Sequence, residues 1–232
     1  MRLVMAASCF DLPGCDALNR ATADRIAEKL GEKYGEAFLV TALGNRLNRE
    51  MVRAFCVAQA DPTLAFTACL SPDGGAFLDE YAVRRVGRQA ERLINGVFAG
   101  SGVLSQCHAE ISGIGRQALP GDPMGLPEFV RRFRPDCFTA DLVLPASSQQ
   151  RSGNEEFLKA AFAAIYAAIG QVKLAAKVRW VEDGGFAACA EMVKSAPALH
   201  EAWFRKYAVT KAAFVSIDAA GCSVLAGREA QR

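Results

Sequence analysis

The chain has 232 residues, 51% of them hydrophobic and 22% charged, a balance that supports a globular core and excludes a disordered chain. Lysine and arginine number 27 against 25 acidic residues, a formal net charge of +2, so no concentrated basic surface points to nucleic acid. Eight cysteines without a CxxC pair, and only two histidines, leave no zinc-type ligand spacing. No metal or cofactor is expected, and the cysteines inside apolar runs read as buried thiols outside any disulfide framework.

Residues 1–15, MRLVMAASCFDLPGC, carry one basic residue, a short apolar run and the tetrad Leu12-Pro13-Gly14-Cys15. A small residue ahead of a cysteine resembles a bacterial lipoprotein cleavage box, with Cys15 as the lipid-anchor candidate. Asp11 interrupts the run, and the alternative is a first β-strand over 2–9 ending in a Pro-Gly turn.

Residues 17–34 place Ala23, Ile26, Ala27, Leu30 and Tyr34 on one helical stripe, with Gly35 as the stop. Three strands follow at 37–43, 53–59 and 64–70, joined by turn-forming residues such as Asp61-Pro62. Links this short favour an antiparallel meander, and Phe38, Val40, Phe55, Val57, Leu64 and Phe66 are its expected core positions. A second turn, Ser71-Pro72-Asp73-Gly74-Gly75, leads to a helix over 79–98. On that helix Arg84, Arg85, Arg88 and Arg92, interleaved with Asp79, Glu80 and Glu91, read as a solvated face.

Residues 104–111 alternate as a strand, and 112–135 form a glycine- and proline-rich crossover with a short helix near 127–133. Within it, Ser112-Gly113-Ile114-Gly115-Arg116 lacks the spacing of a phosphate-binding loop. Another strand over 138–144 precedes PASSQQRSGN, whose polar composition marks 145–153 as a linker-like boundary. Asn154 then caps a helix through Ile169, followed by a strand at 172–181 and a turn at Glu182-Asp183-Gly184-Gly185. A helical stretch over 186–207 breaks near Pro197, and a strand at 212–218 follows. The expected organisation is a leader or first strand at 1–15, an α+β domain at 16–144, the loop at 145–153, and a smaller α/β subdomain at 154–232. The fold class is α+β, with mostly antiparallel sheet and helices packed on one face.

Two motifs, KYGE at Lys33 to Glu36 and Asp79-Glu80-Tyr81, bracket the meander. Residues 33–86 resemble an uncharacterised α+β module of Gram-positive bacteria, in which a KYGEEF-type helix end and a DNY or DEY helix start flank three strands. That resemblance implies a module found after lipoprotein signals and carries over no catalytic residue.

The expected function is a non-enzymatic, envelope-associated binding or interaction protein, with an unidentified protein or small molecule as partner and the membrane reached only through Cys15. The competing expectation is a small cytoplasmic enzyme using Cys107, Cys189 or His200. Cys107 and His108 adjoin in sequence, but neighbouring strand residues point to opposite faces, so a Cys–His pair would have to form at longer range. Trp180, Trp203 and Phe204 read as core or interface aromatics.

Overall fold

The computed structural model describes residues 15–44, 50–114, 119–196 and 199–227, with side chains from residue 19 onward. The proposed strand over 2–9 therefore lies outside the described residues, and Cys15 is the first residue of helix α1 (Cys15–Tyr34). The chain divides into two compact units, Met1–Tyr81 with Pro120–Asp122, and Ala82–Leu119 with Pro123–Arg232. The division falls in the first turn of α2 (Tyr81–Gly100), not at 145–153.

In the first unit, β1 (Phe38–Leu43), β2 (Val52–Ala58), β3 (Ala65–Leu70) and the short β4 (Phe77–Asp79) form an antiparallel sheet in sequential order. The meander forms as expected, and β4 is an addition too short to show a pattern. Ile26 and Leu30 of α1 are buried with Phe38, Ala54, Cys56, Ala58, Phe66 and Tyr81. On β2 the buried face is Val52, Ala54, Cys56 and Ala58, whereas Phe55 and Val57 are only half-buried. The register explains this correction: Phe38 lies opposite Ala58, and Phe66 opposite Cys56, so large side chains meet small ones across the inner face. Edge-on contacts of Phe38 with Phe66 and Tyr81 complete that packing.

The second unit is built on a five-stranded sheet, β5 (Gln106–Ser112), β6 (Cys137–Pro145), β7 (Lys173–Val181), β8 (Val209–Asp218) and β9 (Gly221–Ala226), again in sequential order. All neighbours are antiparallel except β6 and β7. A parallel pair needs a crossover. Residues 145–153 supply its start, folding as a 3-10 turn (Ala146–Ser148) and α4 (Gln149–Ser152) ahead of α5 (Glu155–Ala168). Ser152 is buried, and the Trp180 indole donates to its hydroxyl at 2.9 Å, so this segment is packed structure. Asn154 caps α5 as expected, accepting the Phe157 N–H at 2.7 Å.

One sheet face packs Phe138, Leu142, Leu174, Val178, Trp180 and Val215 against α2, α3 (Leu126–Phe133) and α5. On the other face, α6 (Asp183–Ser195) and α7 (Glu201–Phe204) bury Val143, Val181, Cys189, Val193 and Phe204. The α+β class and the largely antiparallel pairing hold, and this sheet carries helices on both faces.

Candidate functional site: an open groove on the second sheet

Lys177 and Arg179 stand two residues apart on β7 and share a face, as the strand period of two requires. Register places Asp141 of β6 beside Lys177 on one side and Phe214 of β8 on the other. These residues line a groove of about 370 Å³ with Thr139, Ser216, Leu225 and, from the α7 region, His200 and Glu201.

Arg179 anchors the groove. Its guanidinium lies over the Phe204 ring at 3.8 Å, donates through Nη1 to Asp141, and donates through Nη2 to Glu201 Oε2 at 2.7 Å. Its side chain is 3% exposed, and Nε has no hydrogen-bond partner. The Lys177 ammonium reaches the same Glu201 oxygen at 2.6 Å and lies 5.1 Å from the Phe214 ring centre. Desolvation pushes the Glu201 carboxyl upward, but the hydrogen bonds from Lys177 and Arg179 outweigh it and hold the group below its ordinary range. Phe214 and Leu225 remain 45% and 66% exposed, an apolar flank beside a charged centre.

A second charged cluster serves a different purpose. Glu91 accepts the Ala109 N–H at 3.0 Å, and Arg84 donates to the Ala109 carbonyl at 3.1 Å while pairing with Glu91 at 2.8 Å. β5 is an edge strand, so this pair satisfies outward-facing backbone groups that would otherwise await another strand. Gly87 permits the approach, since a Cβ there would stand 2.8 Å from the Ala109 oxygen. Arg84 and Glu91 are 7% and 1% exposed, which corrects the solvated-face expectation. Helical spacing put them on one stripe, but the stripe faces a strand edge. His108, 2% exposed, lies 3.2 Å from Arg84 and 3.5 Å from Glu110. Its ring is the main influence holding the Glu110 carboxyl below its usual range, against the pull of desolvation.

The sequence candidates do not converge. Cys107 is buried in the core against α2, on the face opposite His108, and burial drives its thiol well above the ordinary range. Cys189 sits in the α6 core, its thiol pushed up by burial to about 11. His200 is exposed at the groove wall, with its ring 5.2 Å from that of Trp203. Burial disfavours the thiolate at both, the form a cysteine nucleophile needs. Trp180 and Phe204 are buried, as expected of core aromatics. In the glycine-rich segment, Gly113 (φ 79°) lies where a Cβ would meet Asp136 at 2.2 Å, a packing reason for that glycine. Residues 115–116 lie outside the described residues. Among the described residues, no group of three or more His, Cys, Asp or Glu side chains suits a metal ion, and no helix is long and apolar enough to cross a membrane.

The two bracketing motifs of the first unit meet. Asp79, with no exposed side-chain surface, accepts from Lys33 at 2.7 Å, from the Tyr34 hydroxyl at 2.5 Å and from the Tyr81 N–H at 3.1 Å. The Tyr81 hydroxyl donates to Glu36 at 2.5 Å, and Thr67 donates to Glu80. This lock joins the end of α1 to the end of the sheet.

No protein-family model and no curated protein sequence matches the chain. Among solved structures, it is similar to a DUF5037 family protein from Ruminococcus gnavus, with a TM-score of 0.64 and 14% identity over 85% of this chain and 91% of that one. At that identity the likeness concerns the fold alone.

Proposed function

We propose that this chain is a non-enzymatic binding protein whose working surface is the groove on β6 to β9. The observation that carries the reading is the pairing of a fixed, buried guanidinium with exposed Phe214 and Leu225 on one sheet face. Sites that bind small molecules combine an apolar lining with a few placed polar groups in this way. Cys107 and Cys189, the two thiols of the enzymatic alternative, are buried and do not line the groove, whereas its third residue, His200, does. Titrating a set of small organic fragments into the labelled protein tests the idea by amide shifts. Binding should perturb 139–141, 175–179, 214–216 and 223–225. Fragments that bind only elsewhere, or none that bind, would overturn it.

The same proposal places the protein at the cell envelope through a lipid on Cys15, supported by the Leu12-Pro13-Gly14-Cys15 box. Fractionation of cells carrying the native chain and Cys15→Ala checks this. The native chain should partition with membranes and the variant should not, and equal partitioning would refute the anchor.

A further inference from the structure

We infer that the groove takes an organic carboxylate with an apolar body, which binds by displacing Glu201 from Lys177 and Arg179. This assignment rests on the reading of the groove as a binding surface and names its ligand class.

A carboxylate already occupies the position. Glu201 Oε2 receives both cations, at 2.6 and 2.7 Å, so the site has the charge and spacing for one carboxylate oxygen. The partners differ in how firmly they are held. Lys177 and Arg179 have side chains 24% and 3% exposed, whereas that of Glu201 is 62% exposed. Glu201 also belongs to a helix of only four residues whose preceding residue, His200, makes no side-chain capping hydrogen bond. Arg179 does not depend on Glu201 for its aim, because Phe204 supports its plane and Asp141 takes its other end. Displacing Glu201 frees Nη2 of the guanidinium toward the groove while Nη1 keeps Asp141, and an incoming carboxylate takes up the freed hydrogen bond.

The apolar body follows from what adjoins the two cations. Phe214 is the register partner of Lys177, and Leu225 is the partner of Phe214 on β9. Both are exposed on the groove side, within reach of a phenyl-sized group attached to the acid. Free aryl acids and the carboxyl ends of hydrophobic peptides share this chemistry. Glu201 acts as an internal competitor, so the native chain binds more weakly than its cation pair alone would.

Three probes decide the matter: 3-phenylpropionate, N-acetylphenylalanine and 3-phenylpropionamide, each followed by amide shifts in the groove. The two acids should bind, and the amide should bind roughly tenfold more weakly or worse, since it lacks the charge for Lys177 and Arg179. A preference between the acids separates a free acid from a peptide terminus as source. Glu201→Gln should tighten the acids by about three- to tenfold and leave the amide unchanged. Lys177→Met, which keeps an apolar stem beside Phe214 and leaves Arg179 in place, should reduce the preference for acid over amide without removing it. Unchanged shifts in the Trp180 core report that each variant is folded. Equal binding of acid and amide would overturn the carboxylate assignment and leave the groove a binding surface. Glu201→Gln that weakens the acids, or groove amides unmoved by all three probes, would overturn it too.

Discussion

Two charged centres, one in each unit, use similar residues to opposite ends. At Asp79 of the first unit, three donors converge on a carboxylate with no exposed surface, and its neighbours Glu80 and Tyr81 are bonded as well. At Arg179 of the second unit, a buried guanidinium keeps Nε without a hydrogen-bond partner and relies on a largely exposed carboxylate for one of its bonds. Both are ion pairs, yet the first is saturated and the second retains replaceable contacts. Saturation marks a structural joint, because burying a charge costs free energy that only a full set of partners offsets. A replaceable partner beside exposed apolar surface marks a place where something else can bind.

The sharpest way to break this contrast is to remove each carboxylate. Asp79→Ala leaves Lys33, the Tyr34 hydroxyl and the Tyr81 N–H without their shared acceptor, a loss of about 3 kcal/mol. Hydrogen exchange should report it as lost protection in β1 to β4. Glu201→Gln should change stability by less than about 1 kcal/mol, as expected of an exposed pair. Similar losses at the two positions would remove the distinction between joint and site.

The strand edge in the second unit gives a second, smaller test. At Gly87 an alanine would gain about 1 kcal/mol of helix propensity. Its Cβ, however, would stand 2.8 Å from the Ala109 carbonyl oxygen, which is backbone and yields only by moving α2 or β5. Overpacking of this kind costs about 1–3 kcal/mol, so Gly87→Ala should be destabilising by about 1 kcal/mol net. A thermal or denaturant melt that shows stabilisation would mean α2 does not lie against β5 this closely.

Much of the first unit was legible because its pairing is local. The helix stripe of Ile26 and Leu30, the short turns and the aromatic strands each carry their own signal. Alternation in β2 defines two faces, and the larger apolar residues Phe55 and Val57 draw the expectation to the face they share with exposed Arg53. The answer depended on Phe38 and Phe66, which arrive from neighbouring strands and demand Ala58 and Cys56 opposite. The parallel pairing of β6 and β7 was hidden for a related reason: it joins strands separated by a whole crossover, and no local pattern records it. Linker-like composition at 145–153 misled because its serines and glutamines find partners inside the fold, Ser152 with Trp180 and Gln149 with Thr210. The groove did leave one trace, the two cations Lys177 and Arg179 at alternate positions inside a strand whose other interior residues are apolar. Glu201 and Phe214 come from distant segments, so the trace could not be completed from sequence.

The smallest effect expected is the dependence of stability on acid. Glu110 and Glu201 both have carboxyl groups below their ordinary range in the folded chain, whereas an unfolded glutamate titrates near ~4.3. The unfolded chain therefore binds more protons than the folded one below that pH, and stability falls as pH falls. The contribution is complete above about pH 4.3 and disappears as pH drops through the folded values. Both side chains are more than half exposed, at 53% and 62%, so solvent screening limits their joint effect to about 1 kcal/mol. Urea midpoints measured from neutral pH down to about pH 3 should decline less steeply for Glu110→Gln/Glu201→Gln than for the native chain. Parallel declines would mean that neither carboxylate gains from its cationic neighbours in the folded state. Glu201 would then be free of Lys177 and Arg179 already, and the groove would present its cations without an internal competitor.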